Sequence, residues 1–202
     1  FLDENFPAVV DLSTEDFARE IVACLQKVAE LGLPIVVLFT SKDLLLAVSD
    51  LLALPHLAQY KNGDAGNIKR RFDRGEAAIL LGSGSFWEGA DFAEQDQIIQ
   101  LITRIPFDNP KDFFVQKINS RLKEEGKNAF YDYQLPLAIL RLKQAIGRTR
   151  RNEHQKSAVI LLDNRISSKR YGKQIQHHLS QLASLDILPE EVIMQELRDF
   201  FY

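Results

Sequence analysis

The sequence predicts an α/β fold built on a mostly parallel sheet, and three observations carry that prediction. Short apolar runs rich in β-branched residues recur at residues 35–39, 77–81, 98–102 and 158–162. Each reads as a strand buried on both faces, as in parallel sheets whose crossovers cover both sides. Between the runs lie stretches with apolar residues at helical spacing, so strands and helices alternate along the chain. Three of the runs pass into polar turns, and in parallel α/β sheets the turns after strand C-termini are where ligands bind.

The elements follow in order. Ser13 and Asp16 have capping-box-like spacing, and Phe17, Ile21, Leu25 and Val28 then recur on one helical face. Gly32 and Pro34 stop that helix, and 35–39 is the first strand. Thr40-Ser41-Lys42-Asp43 leads into an amphipathic helix with Leu44, Leu45, Val48, Leu51 and Leu52. Residues 60–64 form a turn, Ile68 and Phe72 a short helix closed by Gly75, and 77–81 the next strand. After the strand at 98–102 comes a loop punctuated by Pro106 and Pro110. Phe114, Ile118 and Leu122 mark a helix stopped by Gly126, and Pro136 opens the helix carrying Leu137, Leu140 and Gln144. Beyond the strand at 158–162, two more helices carry Tyr171, Ile175, Leu179 and Leu182, then Val192, Ile193, Leu197 and Phe200.

Composition narrows the function classes. The 202 residues are 46% hydrophobic and 26% charged, which is ordinary for a soluble globular protein with a proper core. A net charge of −3 argues against a basic coat, so any nucleic-acid site must be local. No apolar run approaches the roughly 20 residues of a membrane span, and no signal peptide is evident. The single Cys24 has no internal disulfide partner, which fits a reducing cytoplasm; on its apolar stripe it reads as a packed core thiol. A chain that begins at Phe1 is expected to be a piece of something longer.

Three stretches carry chemistry. Gln144-Ala145-Ile146-Gly147-Arg148-Thr149-Arg150-Arg151 sets three guanidiniums and an amide beside a glycine. On a turn of helix Arg148 and Arg151 share one face, suited to phosphate oxygens, and Gly147 allows close approach; the alternative is a solvated basic helix end. The stretch 82–92 offers glycines and serines after a strand, then Glu88, Gly89 and Asp91. Its N–H groups and hydroxyls suit phosphates and its carboxylates suit arginines, a ribose or metal-bound water, or it is a surface turn plugged by Phe86 and Trp87. Thr40, Ser41 and Lys42 suit a nucleic-acid phosphate, while Ser41 equally suits helix capping. The histidines lack metal spacing, and no Gly-x-x-x-x-Gly-Lys-Ser/Thr phosphate loop exists in the chain.

These stretches resemble, in order, motifs of superfamily-two helicases. Leu38-Phe39-Thr40-Ser41 is similar to motif IV, residues 82–91 to motif V, and Gln144-x-x-Gly147-Arg148-x-x-Arg151 to motif VI. Ile105-Pro106-Phe107, Tyr133-Gln134-Leu135-Pro136, and Asp163-x-Arg165 followed by Tyr171-Gly172 point to the DinG and XPD branch, with DinG the closer match. The resemblance implies that residues 1–202 are the second, three-layer RecA-like motor domain of an ATP-dependent DNA helicase moving 5′ to 3′. It also implies a first motor domain, outside this chain, that supplies the phosphate loop, the Mg²⁺ carboxylates and, in many members, an iron–sulfur cluster. Arg148 and Arg151 are then expected as arginine fingers and Gln144 as nucleotide sensor. Glu88, Gly89, Asp91 and Gly147 would line the ATP cleft, and Thr40, Ser41, Lys42, Ser83 and Ser85 would hold single-stranded DNA. Lys42 stands where relatives often carry an aromatic, which removes a base-stacking partner there. Two other readings remain: a DNA-stimulated ATPase that translocates without separating strands, and a non-catalytic α/β interaction module.

Overall fold

The computed structural model describes residues 1–7, 12–148 and 154–202. Its centre is a seven-stranded sheet in which every strand pair is parallel. The strands are β1 (Leu2–Asp3), β2 (Ile35–Phe39), β3 (His56–Ala58), β4 (Ile79–Ser83), β5 (Gln97–Ile102), β6 (Lys156–Leu161) and β7 (Ile187–Leu188). Their spatial order is β3-β4-β2-β5-β6-β1-β7. β2 is therefore flanked by β4 and β5, with Leu38 opposite both Gly82 and Ile102.

Helices cover both faces, because alternate residues of each strand point to opposite sides. Ile35, Val37 and Phe39 pack with α1 (Thr14–Ala29), α2 (Lys42–Leu51) and α9 (Glu190–Phe201). Val36 and Leu38 pack with α3 (Ala65–Asp73), α4 (Ser85–Glu88), α6 (Leu135–Gly147), α7 (Arg165–Ser168) and α8 (Gly172–Ser180). The result is three layers, as the alternating sequence pattern predicts. Ser13 caps α1, its hydroxyl accepting the Asp16 N–H at 3.1 Å, as the spacing predicts.

Several boundaries differ from the sequence reading, each for a physical reason. β4 runs two residues further than expected, taking in Gly82 and Ser83, because both pair with the end of β2. The three short strands β1, β3 and β7 are recognisable only through their pairing with longer neighbours. Phe114, expected on the core face of its helix, is 73% exposed; Val115 is the buried residue of α5 (Phe113–Glu124). On α9 the inward positions include Met194 and Phe201, whereas Val192 and Phe200 face outward. A π-helical turn at Phe130–Gln134 leads into α6, and Pro136 sits in its first turn.

Cys24 lies on the buried stripe of α1, and its thiol is pushed up to about 12, first by burial and then by Glu190 and Asp3. A thiol held so far from its thiolate form does not act as a nucleophile near neutral pH. Cys24 in the folded chain is therefore expected to resist iodoacetamide and to react on unfolding in denaturant, as followed by mass spectrometry. Rapid labelling under native conditions would instead show that α1 opens locally.

Candidate functional site

All paired strands run the same way, so the segments after β2, β4, β5 and β6 emerge along one edge of the sheet. Gly84, at φ 53°, turns the chain from β4 into α4. Gly82 lets α4 pack down on the sheet, since a Cβ at that position would fall 2.5 Å from the Phe86 ring. Phe86 and Trp87 are both buried, and the Trp87 indole N–H donates to the Phe39 carbonyl at 2.7 Å. The glycine–serine stretch is thus a pinned turn of helix, with its aromatic plug in place and Ser85 exposed at its start.

Thr40 and Lys42 are exposed on the same edge, with Ser41 half-buried between them. Ser41 caps α2, accepting the Leu44 N–H at 3.3 Å, which bears out the capping reading without removing its position on the edge. Ser83, predicted to meet a phosphate, is buried instead because β4 extends to include it. Its N–H donates to Gln59 Oε1 at 2.8 Å, and its hydroxyl lies 3.0 Å from the Tyr60 hydroxyl. Tyr60 has a positive φ of 74°, a strained conformation for a non-glycine residue. The Lys42 ammonium lies 5.0 Å from the centroid of the Tyr60 ring. An aromatic therefore does reach this part of the edge, from a segment whose sequence reads as a plain turn.

The next two strand ends add Thr103 and Arg104, which carry no signal in the sequence, and the Asp163–Arg165 pair, which the family resemblance marks without giving it a role. After β5, buried Thr103 donates its hydroxyl to Leu38 O at 2.9 Å, and Arg104 follows it. After β6, buried Asp163 accepts the Ile105 N–H at 2.7 Å. The same carboxylate holds the Arg165 guanidinium by two bonds, from Nε at 2.8 Å and Nη2 at 2.6 Å. Burial works against the Arg165 charge, and the interactions with Asp163 outweigh it, leaving the pKa raised. Burial, and then the Arg165 charge, lowers that of Arg104.

The remaining predicted residues gather further down the sheet. α6 descends from this edge. Arg141 bonds Pro106 O at 3.2 Å and Asp108, and Ala145 O accepts the Gln100 amide at mid-β5 at 3.4 Å. Arg148, the C-cap of α6, donates from Nη1 to Ala90 O at 3.3 Å. α6 is described as far as Gly147, so the expected sharing of one helical face by Arg148 and Arg151 falls outside the described residues. Gln144 and Gly147 are exposed, with open space around Gly147 where a side chain would begin. The backbone of Glu88 closes α4, and Gly89 N–H bonds back to Ser85 O at 2.8 Å. Asp91 is half-buried and accepts the Ala93 N–H at 3.1 Å. Buried Gln155, which no sequence pattern singles out, donates to Phe92 O and Gln95 O at 3.0 and 2.8 Å and so fixes this loop. Arg150 and Arg151 lie outside the described residues.

The structure thus brings the predicted residues into two groups. Thr40, Ser41, Lys42 and Ser85, with Ser83 behind them, lie at the strand ends. Gly89, Asp91, Gly147 and Arg148 lie below, with Gln144 on the helix that leads to them. One turn of helix, α4, spans the interval, and a turn rises about 5.4 Å. Among the described residues no three His, Cys, Asp or Glu side chains converge as a metal site, and no helix is long and apolar enough to cross a membrane.

A Gly82→Ala substitution is expected to cost about 1–3 kcal/mol in folding stability, because Phe86 and α4 must move to admit the methyl group. Trp87 is the sole tryptophan, so its emission in a denaturation series reports on that displacement directly. An unchanged midpoint and spectrum would mean that α4 is not packed as described.

Known proteins share both the sequence and the fold. The profile of the helicase C-terminal domain family matches residues 24–182. The chain is 32% identical over 181 residues to the 3'-5' exonuclease DinG of Bacillus subtilis (strain 168), covering 85% of this chain and 19% of that protein. It is 30% identical over 121 residues to the ATP-dependent DNA helicase YoaA of Escherichia coli (strain K12), covering 60% of this chain and 19% of that protein. The chain therefore spans about a fifth of the length of these curated relatives. Among solved structures, XPD_Helicase matches with a TM-score of 0.68 at 22% identity, over 93% of this chain and 34% of that chain. S. tokodaii Xpd4 matches with a TM-score of 0.62 at 18% identity, over 86% of this chain and 36% of that chain. At these identities the structural likeness speaks for the RecA-like fold alone.

Proposed function

The chain belongs to the helicase C-terminal domain family, and on that footing we propose that residues 1–202 form the second motor domain of a DinG-type, ATP-dependent 5′–3′ DNA helicase. The observation that carries the reading is the bond from Arg148 to Ala90 O, which joins two segments 58 positions apart in sequence. These are the segments that resemble motifs V and VI. Their meeting puts a guanidinium, a glycine open to approach and Asp91 in one neighbourhood. The same chain matches a relative named as an exonuclease and another named as a helicase, and a motor domain common to both accounts for that overlap.

In this reading ATP and Mg²⁺ sit between this domain and a preceding motor domain of the same protein, which supplies the phosphate loop. Arg148 and Arg151 reach the γ-phosphate, where planar, permanently charged guanidiniums stabilise charge on the transferring group. Gln144 senses the nucleotide or its water, and Glu88, Gly89, Asp91 and Gly147 line the cleft. Thr40, Ser41, Lys42 and Ser85 hold the phosphates of single-stranded DNA, with Ser83 supporting them through Tyr60. ATP hydrolysis opens and closes the cleft in the cytoplasm, and alternating grip becomes movement along the strand. The isolated domain holds half of an ATP site and is expected to turn over essentially none.

The test is DNA-stimulated ATP hydrolysis by the full-length protein. Arg148→Ala is expected to lower turnover about a thousandfold, the order of a lost arginine finger, with DNA binding retained. Unchanged turnover would place the chemistry elsewhere. Robust hydrolysis by residues 1–202 alone, abolished by the same substitution, would overturn the two-domain reading. A strand-displacement assay on the wild type separates unwinding from translocation without unwinding.

A further inference from the structure

We propose that Arg104 is an additional contact for a nucleic-acid phosphate, one that the motif residues do not include. The inference rests on the DNA-binding reading above and begins from an unmet charge. Arg104 follows buried Thr103 at the end of β5, and its guanidinium carbon lies 4.6 Å from the centroid of the Phe17 ring. Its Nε is buried with no hydrogen-bond partner, and the side chain makes no ion pair among the described residues.

The acids nearby are already engaged. Asp163 gives both oxygens to Arg165 and also accepts the backbone N–H of Ile105 and Arg165. Glu15 and Asp16, in the first turn of α1 beside Phe17, both bond Arg19. Two guanidiniums, Arg104 and Arg165, thus lie near one carboxylate that is bonded to Arg165 alone, and the neighbourhood is left with net positive charge. Partial burial of a cation without a counter-charge is unfavourable, and an incoming anion relieves it. Stacking on Phe17 orients the guanidinium without consuming any of its donors.

Position selects the kind of anion. Arg104 and Thr40 each lie two residues beyond the last β2–β5 pair, Leu38 and Ile102. Ser85 follows β4, Arg165 follows β6, and the spatial order of the four strands is β4-β2-β5-β6. Neighbouring strands are about 4.8 Å apart, so the donors form a row along the sheet edge. A row suits a chain of phosphates, such as a single strand laid across the strand ends, better than one isolated ion.

The experiment compares wild type, Arg104→Met and Arg104→Lys in the full-length protein. It measures binding of a fluorescent single-stranded oligonucleotide across a range of salt concentrations, and the unfolding midpoint of each variant. Arg104→Met is expected to weaken binding several-fold and to make the slope of log affinity against log salt shallower by about 0.7, the value for one phosphate contact on a single strand. Arg104→Lys should keep the slope while losing part of the affinity, and neither midpoint should fall. Removing an unpaired, half-buried charge should leave Arg104→Met as stable as wild type or more so.

An unchanged slope in Arg104→Met, with wild-type DNA binding intact, overturns this proposal and leaves the motor reading standing. A lower midpoint in both variants would make Arg104 a structural residue. If inorganic phosphate or ATP competes with DNA in the wild type but not in Arg104→Met, the Arg104 guanidinium serves a free anion and the strand assignment fails. Absence of DNA binding by the wild type would overturn both readings.

Discussion

The architecture depends on keeping β2 dry. Every residue of Ile35–Phe39 is buried, with β4 on one side, β5 on the other and helices over both faces. A strand enclosed in this way leaves polar chemistry nowhere to sit but its ends. The ends must themselves be closed, because a buried carbonyl without a partner is costly. Thr103 bonds Leu38 O, and the Trp87 indole bonds Phe39 O. The groups that seal β2 are thus the same ones that set the positions of Arg104 and α4, so the layout of the edge follows from the need to finish the core.

α4 is the second consequence. It is only Ser85–Glu88, yet it stands between the exposed strand-end groups and the Arg148 neighbourhood. Phe86 beneath it and Trp87 against β2 leave it no independent freedom, so a displacement at one end is transmitted to the other rather than absorbed. A longer, solvated loop of the same composition would uncouple the two groups.

The parts of the fold that could be read from the sequence are those whose pattern is local. Residues 35–39 announce a buried strand because five apolar residues in a row have few other uses, and Ser13 with Asp16 announces a helix start. β1, β3 and β7 are two or three residues long and exist only through partners elsewhere in the chain. Phe114 misled because helical spacing says which residues share a face, not whether anything covers that face. In the site, Thr40, Ser41, Ser85, Asp91 and Arg148 stood out by type and order. Gln59, Tyr60, Arg104 and Gln155 did not, since each acts on a segment distant in sequence.

The place of β1 in the sheet bears on how the protein is made. Leu2 pairs with Leu161 on one side and Ile187 on the other, so β1 lies between two strands translated long after it. A chain emerging from the ribosome can assemble β2, β3, β4 and β5 among themselves, while β1 waits for β6 and then β7. Until then the sheet ends at β5, an open edge of 6 residues, whereas the finished sheet ends at β7, which has only 2, and a long open edge is the feature that invites pairing with other chains. Late translation is therefore the interval in which the nascent chain most needs shielding, and arrested chains released before and after Leu188 should differ in their tendency to aggregate.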